Sequence, residues 1–396
     1  MGKYLDRIYE FLVVYRLRII LCFTVIIYVA FFPGAFATYD EHNYLYNSRN
    51  LVEGTLRQDC REDETSQFRV GDYCIYKYNI GTSFFYLPFV MWAPQLAFLS
   101  TLGIYIFGVI VFDRLLARLG LSPVWVYLFA FFPANVYFSR TLFSEMYSAV
   151  LVLAGFYYLL VLYRWHRKQK LYGLVAGVLL GMSVAVRYTN AVVVLVMVCG
   201  LFLKMLLRIH TSGKSPKFNE VVQTFIKFKP VLLGGIPFLV SLLLFNNYLY
   251  DSPLRSGYFY SGEESMMNLH NILVMAPKYI VALALMYPAM ILSPFFVRKC
   301  YRLVIGISVV VLLALVASFA GNNDVFKYRI LDLVLGIRFM MPVLPLLMIT
   351  YSCWLQKFLK FERVKRLLAA AIIVLMCNAV AIHIIHQDFL NTVGDL

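Results

Sequence analysis

Two adjacent carboxylates, Asp40 and Glu41, stand in the stretch Tyr39-Asp40-Glu41-His42-Asn43-Tyr44, directly after the first long apolar run of the chain. Carboxylates at the point where a membrane helix returns the chain to water cost free energy unless they are solvated, paired or used. Farther along, Lys77, Arg140, Glu145, Arg187, Arg255 and Arg338 each fall near the end of an apolar run. Carboxylates at one end of a site and cations at the other suit a reaction in which a hydroxyl loses its proton while an anionic group departs. His42 adds a metal-ligating side chain, but three consecutive residues do not converge readily on one ion. His383 and His386 share a helix face without a third ligand beside them. Metal binding is left open.

The elements that must position these residues are membrane helices. Hydrophobic residues make up 61% of the chain and charged ones only 14%, far outside the range of soluble domains. Apolar runs of about 20 residues, long enough to cross a bilayer, recur from end to end and predict an all-α polytopic membrane protein. About eleven spans are expected, near 17–36, 94–112, 122–138, 142–163, 171–186, 188–207, 230–250, 278–297, 303–320, 338–356 and 367–386. They form one membrane-embedded domain over 1–396 with no separate soluble domain. The first run is long, aromatic and lacks a small-residue cleavage pattern, so it is read as a retained helix.

With the N-terminus in the cytoplasm, the inner segments collect 24 Lys and Arg against 5 acidic residues, and the outer ones 12 against 16. That asymmetry follows the positive-inside rule and places Asp40 and Glu41 on the extracytoplasmic face of a plasma or inner membrane. The net charge of +15 is then an orientation signal and an attraction to anionic lipids, and calls for no nucleic-acid partner.

The first outer loop, about 37–93, carries short segments expected to lie at the interface. Asn43 to Val52 has helix-like apolar spacing, and the apolar piece 84–93, with Pro88, is too short to span. Cys60 and Cys74 are the only outer cysteines, and an oxidising exterior predicts a disulfide between them. It would close the excursion Arg61-Glu62-Asp63-Glu64 and hold Lys77 near Asp40.

In this order, the pieces resemble the membrane glycosyltransferases of the C-type (GT-C) fold, which include protein O-mannosyltransferases and the aminoarabinose transferase of lipid A. The acidic pair after the first helix is similar to that family's first-loop carboxylates. Lys77 with Gly81 and Pro88 looks like its lysine-bearing segment, and Ser144-Glu145 like the acidic position that opens a later helix. Gly177-Val-Leu-Leu-Gly-Met-Ser-Val-Ala-Val-Arg187 resembles its glycine-rich helix ending in arginine. Asn247-Tyr-Leu-Tyr-Asp-Ser-Pro-Leu-Arg-Ser-Gly-Tyr258 and Gly336-Ile-Arg-Phe-Met-Met-Pro-Val-Leu-Pro345 complete the series. Many members have an acidic residue before the lysine and a proline after it; here those positions are Tyr76 and Tyr78.

The resemblance implies a GT-C fold and transfer of a sugar from a polyprenyl-phosphate donor to a hydroxyl of a cell-envelope glycan, a glycolipid or a protein. It implies Asp40 as general base, Glu41 as a partner that orients the acceptor or the base, and Glu145 as a contact to the acceptor or a divalent cation. Lys77, Arg187 and Arg338 would hold the donor phosphate, and Tyr258 would line the donor pocket. The phosphate leaves without a general acid, so one in-line displacement with inversion suffices. Plainer readings stand beside these: a solvated loop start for the acidic pair, interfacial anchors for Arg187 and Arg338, and a Glu145–Arg140 pair. A transporter or flippase of lipid-linked sugars would use the same cations without making a bond.

Overall fold

The computed structural model describes residues 2–36, 38–60, 67–164, 169–210, 218–260, 268–297, 302–318 and 334–394. The expected excursion Arg61 to Glu64 lies outside the described residues. The first helix, α1 (Gly2–Ala30), is followed by α2 (Tyr39–Glu53) and a two-stranded antiparallel hairpin, β1 (Gln67–Val70) with β2 (Tyr73–Tyr76). Two one-turn helices, α3 (Ile80–Ser83) and α4 (Leu87–Val90), lead through a 3-10 turn at Pro94–Ala97 into α5 (Phe98–Leu119). Then come α6 (Val126–Ala130), α7 (Pro133–Phe138), α8 (Ser144–Arg164), α9 (Gln169–Val186), α10 (Asn190–His210) and α11 (Phe218–Tyr250). The chain continues with α12 (Gly257–Tyr260), α13 (Leu269–Met286), α14 (Ser293–Phe296), α15 (Arg302–Ala317), a 3-10 turn at Ile337–Met340, α16 (Leu344–Leu355) and α17 (Glu362–Gly394).

Six helices among the described residues are long and apolar enough to cross a bilayer: Tyr4–Ala30, Pro94–Leu119, Ser144–Leu162, Gln169–Val186, Val222–Tyr250 and Glu362–Asn391. A seventh is reached if Val334–Met340 and Leu344–Phe358, which meet at 95°, form one broken span. Asn190–Lys204, His270–Met286 and Arg302–Ala317 are shorter apolar helices. The protein is therefore a helical, multi-span membrane protein. Two of the expected spans are instead interrupted, 278–297 by a turn between α13 and α14, and 122–138 between α6 and α7. Pro133 cannot donate a backbone hydrogen bond and starts a new helix, and Asn135 Nδ2 satisfies the freed Phe129 carbonyl at 2.7 Å.

Helix α8 is the central column: 89% of its apolar window is buried inside the protein, against 22–44% for the other five. It presents almost no surface to lipid, so its residues are chosen by packing and by the polar groups at its ends. Helix α9 packs along α11 through small residues. Gly173, Gly177 and Gly181 face Pro230, Val231, Gly235 and Phe238 so closely that backbones touch, the usual way membrane helices associate without a hydrophobic driving force. Two ion pairs fasten α1 to its neighbours, Arg16 to Asp113 of α5 at 2.5 Å and Asp6 to Arg366 of α17 at 2.8 Å.

Candidate functional site

The acidic pair does not lie in a turn. Asp40 and Glu41 occupy the first turn of α2, where unpaired backbone N–H groups favour negative charge. Glu41 is 1% exposed. Its Oε2 accepts the Thr38 backbone N–H at 3.1 Å, as in a capping box, and its Oε1 accepts the Leu142 N–H at 2.8 Å. The carboxylate thus seats the start of α2 on the turn that precedes α8. Gly54, with φ of +70°, ends the helix in the left-handed conformation that glycine adopts at little cost.

Asp40 faces the other way. Its Oδ1 accepts the Tyr78 hydroxyl at 2.6 Å, and Arg338 Nη1 lies 3.3 Å from its Oδ2. Asp40 and Arg338 keep about a quarter of their side-chain surface open, 26% and 25%, so the carboxylate is held but reachable. Burial, and next the Asp40 charge, push the Tyr78 phenol far above its ordinary value of 10. Burial raises Tyr44 as well. Both phenols are therefore neutral hydrogen donors.

A second ion pair stands beside the first. Glu145 Oε1 lies 2.9 Å from Arg187 Nη1, with only 4% and 11% of the two side chains exposed. Tyr44 donates to Ser144 Oγ at 3.1 Å, and Ser144 donates to Glu145 Oε2 at 3.4 Å. The two guanidinium groups share one ring: the Cζ atoms of Arg338 and Arg187 lie 4.6 and 5.1 Å from the centre of Phe339, within cation–π range. Phe339 thereby places both cations next to the carboxylates at the starts of α2 and α8.

Lys77 completes the group from the hairpin side. Its Nζ lies 5.1 Å from the Tyr258 ring and 5.5 Å from the Tyr78 ring, and the two tyrosines meet edge to face at 6.3 Å. Gly257 makes this possible. A Cβ on Gly257 would come within 2.2 Å of the Lys77 carbonyl oxygen, so only glycine lets α12 approach that backbone. Gly81 plays the same part across the site: its Cβ would meet Ala185 O at 2.2 Å, two residues before Arg187.

The hairpin is stapled. Cys60 and Cys74 form the expected disulfide, with Cα atoms 4.9 Å apart, and Gln58 and Cys74 exchange backbone hydrogen bonds beside it. Arg57 lies between the Tyr73 and Tyr248 rings at 4.1 and 4.6 Å and reaches Asp251 at 3.0 Å, which ties the loop to the end of α11. Asn47 Nδ2 donates to Tyr78 O at 3.3 Å. Two serine hydroxyls link α2 and α3: Ser48 donates to Ser83 O at 2.8 Å, and Ser83 donates to Tyr44 O at 2.9 Å. Lys77 and Tyr78 are thus held from both sides.

Behind Gly81 and Ala185 lies a cavity of about 390 Å³ between α3, α9 and α11. Its wall includes Phe84, Phe85, Met182, Phe238 and Phe245, with Ser241 as its polar member. It is an apolar chamber within two residues of Arg187.

Asp40, Glu41, Lys77, Glu145, Arg187, Tyr258 and Arg338, singled out from sequence, therefore come together. Arg140 and Arg255 do not. Arg140 is buried against α17, where it donates to His386 Nδ1 at 3.2 Å, and Arg255 stacks on Phe259. Glu145 pairs with Arg187 and not with Arg140. His42 packs between the rings of Phe36 and Tyr46. Among the described residues, no three His, Cys, Asp or Glu side chains gather as metal ligands would. Sequence reasoning missed Tyr44, Ser144 and Phe339, and it treated Tyr78 only as a departure from the family pattern. Tyr44 is one helical turn from Asp40, and that spacing was the available signal.

No protein-family model, curated protein or solved structure matches this chain.

Proposed function

We propose that the chain is an integral membrane glycosyltransferase of the GT-C type. It transfers a sugar from a polyprenyl-phosphate donor to a hydroxyl of a cell-envelope glycan, a glycolipid or a protein at the extracytoplasmic face. The observation that carries this reading is the reachable Asp40 carboxylate, engaged by Tyr78 and Arg338, in a cluster that also holds Lys77 and Arg187 and adjoins an apolar chamber. An amphiphile with an anionic head and a hydrocarbon tail matches that combination.

In this reading the acceptor hydroxyl gives its proton to Asp40. The bond from the acceptor oxygen to the anomeric carbon forms as the bond to the phosphate oxygen breaks, and the electron pair leaves with the lipid phosphate. Lys77, Arg187 and Arg338 stabilise the growing phosphate charge, and fixed cations in a site shielded from bulk water do this most effectively. Phosphate is a good leaving group, so one base is enough and the anomeric centre inverts. Glu41 does not touch the substrates but holds the turn that carries Asp40. Glu145 keeps Arg187 in place, and Tyr258 lines the donor side next to Lys77.

The test is transfer from a radiolabelled polyprenyl-phosphate sugar to envelope fractions by purified protein in lipid nanodiscs, with wild type and Asp40→Asn side by side. Transfer by wild type and none by the variant supports the reading. Movement of the labelled lipid between leaflets without transfer would identify a flippase instead.

A further inference from the structure

The turn at 139–143 is fastened to two separate parts of the fold. At the first, Leu142 donates its N–H to Glu41 Oε1 at 2.8 Å, and the Leu142 carbonyl accepts the Tyr86 hydroxyl at 2.7 Å. At the second, Arg140 reaches the last helix. Its side chain is 0% exposed, Nε donates to His386 Nδ1 at 3.2 Å, and Nη2 donates to Gln387 Oε1 at 3.3 Å. Among the described residues Nη1 has no hydrogen-bond partner, and no carboxylate forms an ion pair with this guanidinium.

A buried cation without a counter-charge is unfavourable unless its hydrogen bonds are made. A turn free to relax would carry Arg140 out toward water. Here two neutral acceptors on α17 hold it in. His386 accepts through Nδ1, so its imidazole is neutral, and its ring packs edge to face on Tyr137 at 5.1 Å. Losing either acceptor leaves Arg140 with a single partner, and the turn then loses its fixed point.

We propose that Arg140 is a positioning residue. Bolted to His386 and Gln387, it fixes the turn on which Glu41 is seated, and so sets the first turn of α2 and the direction of Asp40. The same turn runs directly into Ser144 and Glu145, so one anchor serves both carboxylates. The kinetic consequence rests on the transferase reading; the mechanical link from α17 to α2 does not.

The acceptor at position 386 is the element to vary. His386→Gln keeps an oxygen that can accept from Arg140, whereas His386→Leu removes it. In nanodiscs with a polyprenyl-phosphate sugar, His386→Leu is expected to lower kcat tenfold or more with donor KM changed less than twofold, and His386→Gln to stay within threefold of wild type. Wild-type kcat in His386→Leu, or a folded His386→Gln that is as impaired as the leucine variant, would overturn the proposal. If His386→Leu does not fold, the kcat of His386→Gln decides alone. A second arm needs no activity. Thermal unfolding of Glu41→Ala, of Gln387→Leu, which removes the second acceptor of Arg140, and of the double variant should give a midpoint loss smaller in the double variant than the sum of the singles, as coupled sites do. Simple additivity would overturn the link. If wild type transfers no sugar, the functional reading fails and this thermal cycle still tests the bolt.

Discussion

Tyr78 donates its hydroxyl hydrogen to Asp40 Oδ1 at 2.6 Å while Arg338 Nη1 lies 3.3 Å from Oδ2. Each oxygen of the proposed base is thus engaged, one by a neutral donor and the other by a cation. Arg338 is also one of the groups proposed to bind phosphate, so the donor phosphate competes with Asp40 for the same guanidinium. Donor binding before acceptor binding is the expected order. Product-inhibition kinetics should show a compulsory sequence with the lipid donor first, and Arg338→Gln should raise donor KM about tenfold or more, the scale of a charge-assisted hydrogen bond. Random-order kinetics would contradict the sharing of Arg338.

The Glu145–Arg187 pair is buried, and its two halves are not equivalent to an exposed bridge. Arg187→Met leaves an uncompensated carboxylate and is expected to destabilise the protein by about 3–5 kcal/mol. The double variant Glu145→Gln with Arg187→Met should recover much of that loss, because it removes the stranded charge. Unfolding in detergent checks both, and an effect no larger than that of a surface pair, about 1 kcal/mol or less, would contradict the burial described above.

The disulfide holds the hairpin that delivers Lys77. Cys60 and Cys74 are 14 residues apart in sequence, and in the chain-entropy account closing a loop of that size contributes about 3 kcal/mol. Cys60→Ser with Cys74→Ser should lower the unfolding midpoint and raise donor KM more than it lowers kcat, since the lysine is lost to binding before it is lost to chemistry. An unchanged donor KM would separate the hairpin from the site.

Alkaline pH reports on Tyr78. Burial first, and then the Asp40 charge, raise its phenol above the ordinary value, so the unfolded chain releases this proton at lower pH than the folded one. Its stabilising contribution is whole below the unfolded pKa of about 10 and declines as pH rises beyond it. The unfolding midpoint should therefore begin to fall from about pH 10 upward, and Tyr78→Phe should make that fall shallower. An alkaline slope unaltered by Tyr78→Phe would contradict the buried donor.

Most of the cluster was legible because charge is rare in this chain and each charged residue stands out against apolar spans. Asp40, Lys77, Glu145, Arg187 and Arg338 were found that way, and their convergence followed from helix ends meeting on one side. The disulfide was legible from two cysteines sharing one loop. What was hidden depended on local geometry that composition does not encode. Glu41 looked like a twin of Asp40, yet it sits at the third position of a helix whose Thr38 precedes it, and there it turns inward to bond backbone amides. Phe339 resembled any other aromatic until two guanidinium groups were seen to share its ring. The span expected at 122–138 failed because its apolar character reflects burial inside the protein, which hydropathy does not distinguish from burial in lipid.

The claim that Asp40 takes the acceptor proton is tested most directly by Asp40→Asn, which keeps the shape and an oxygen for Tyr78 but removes the base. Single-turnover transfer from a labelled polyprenyl-phosphate sugar, with donor binding measured on the same preparations, is expected to show a rate lowered by roughly 10²- to 10⁴-fold, the range for loss of a general base, with donor affinity equal to or above that of wild type because Arg338 is released from the Asp40 charge. Transfer at the wild-type rate by Asp40→Asn would contradict the account.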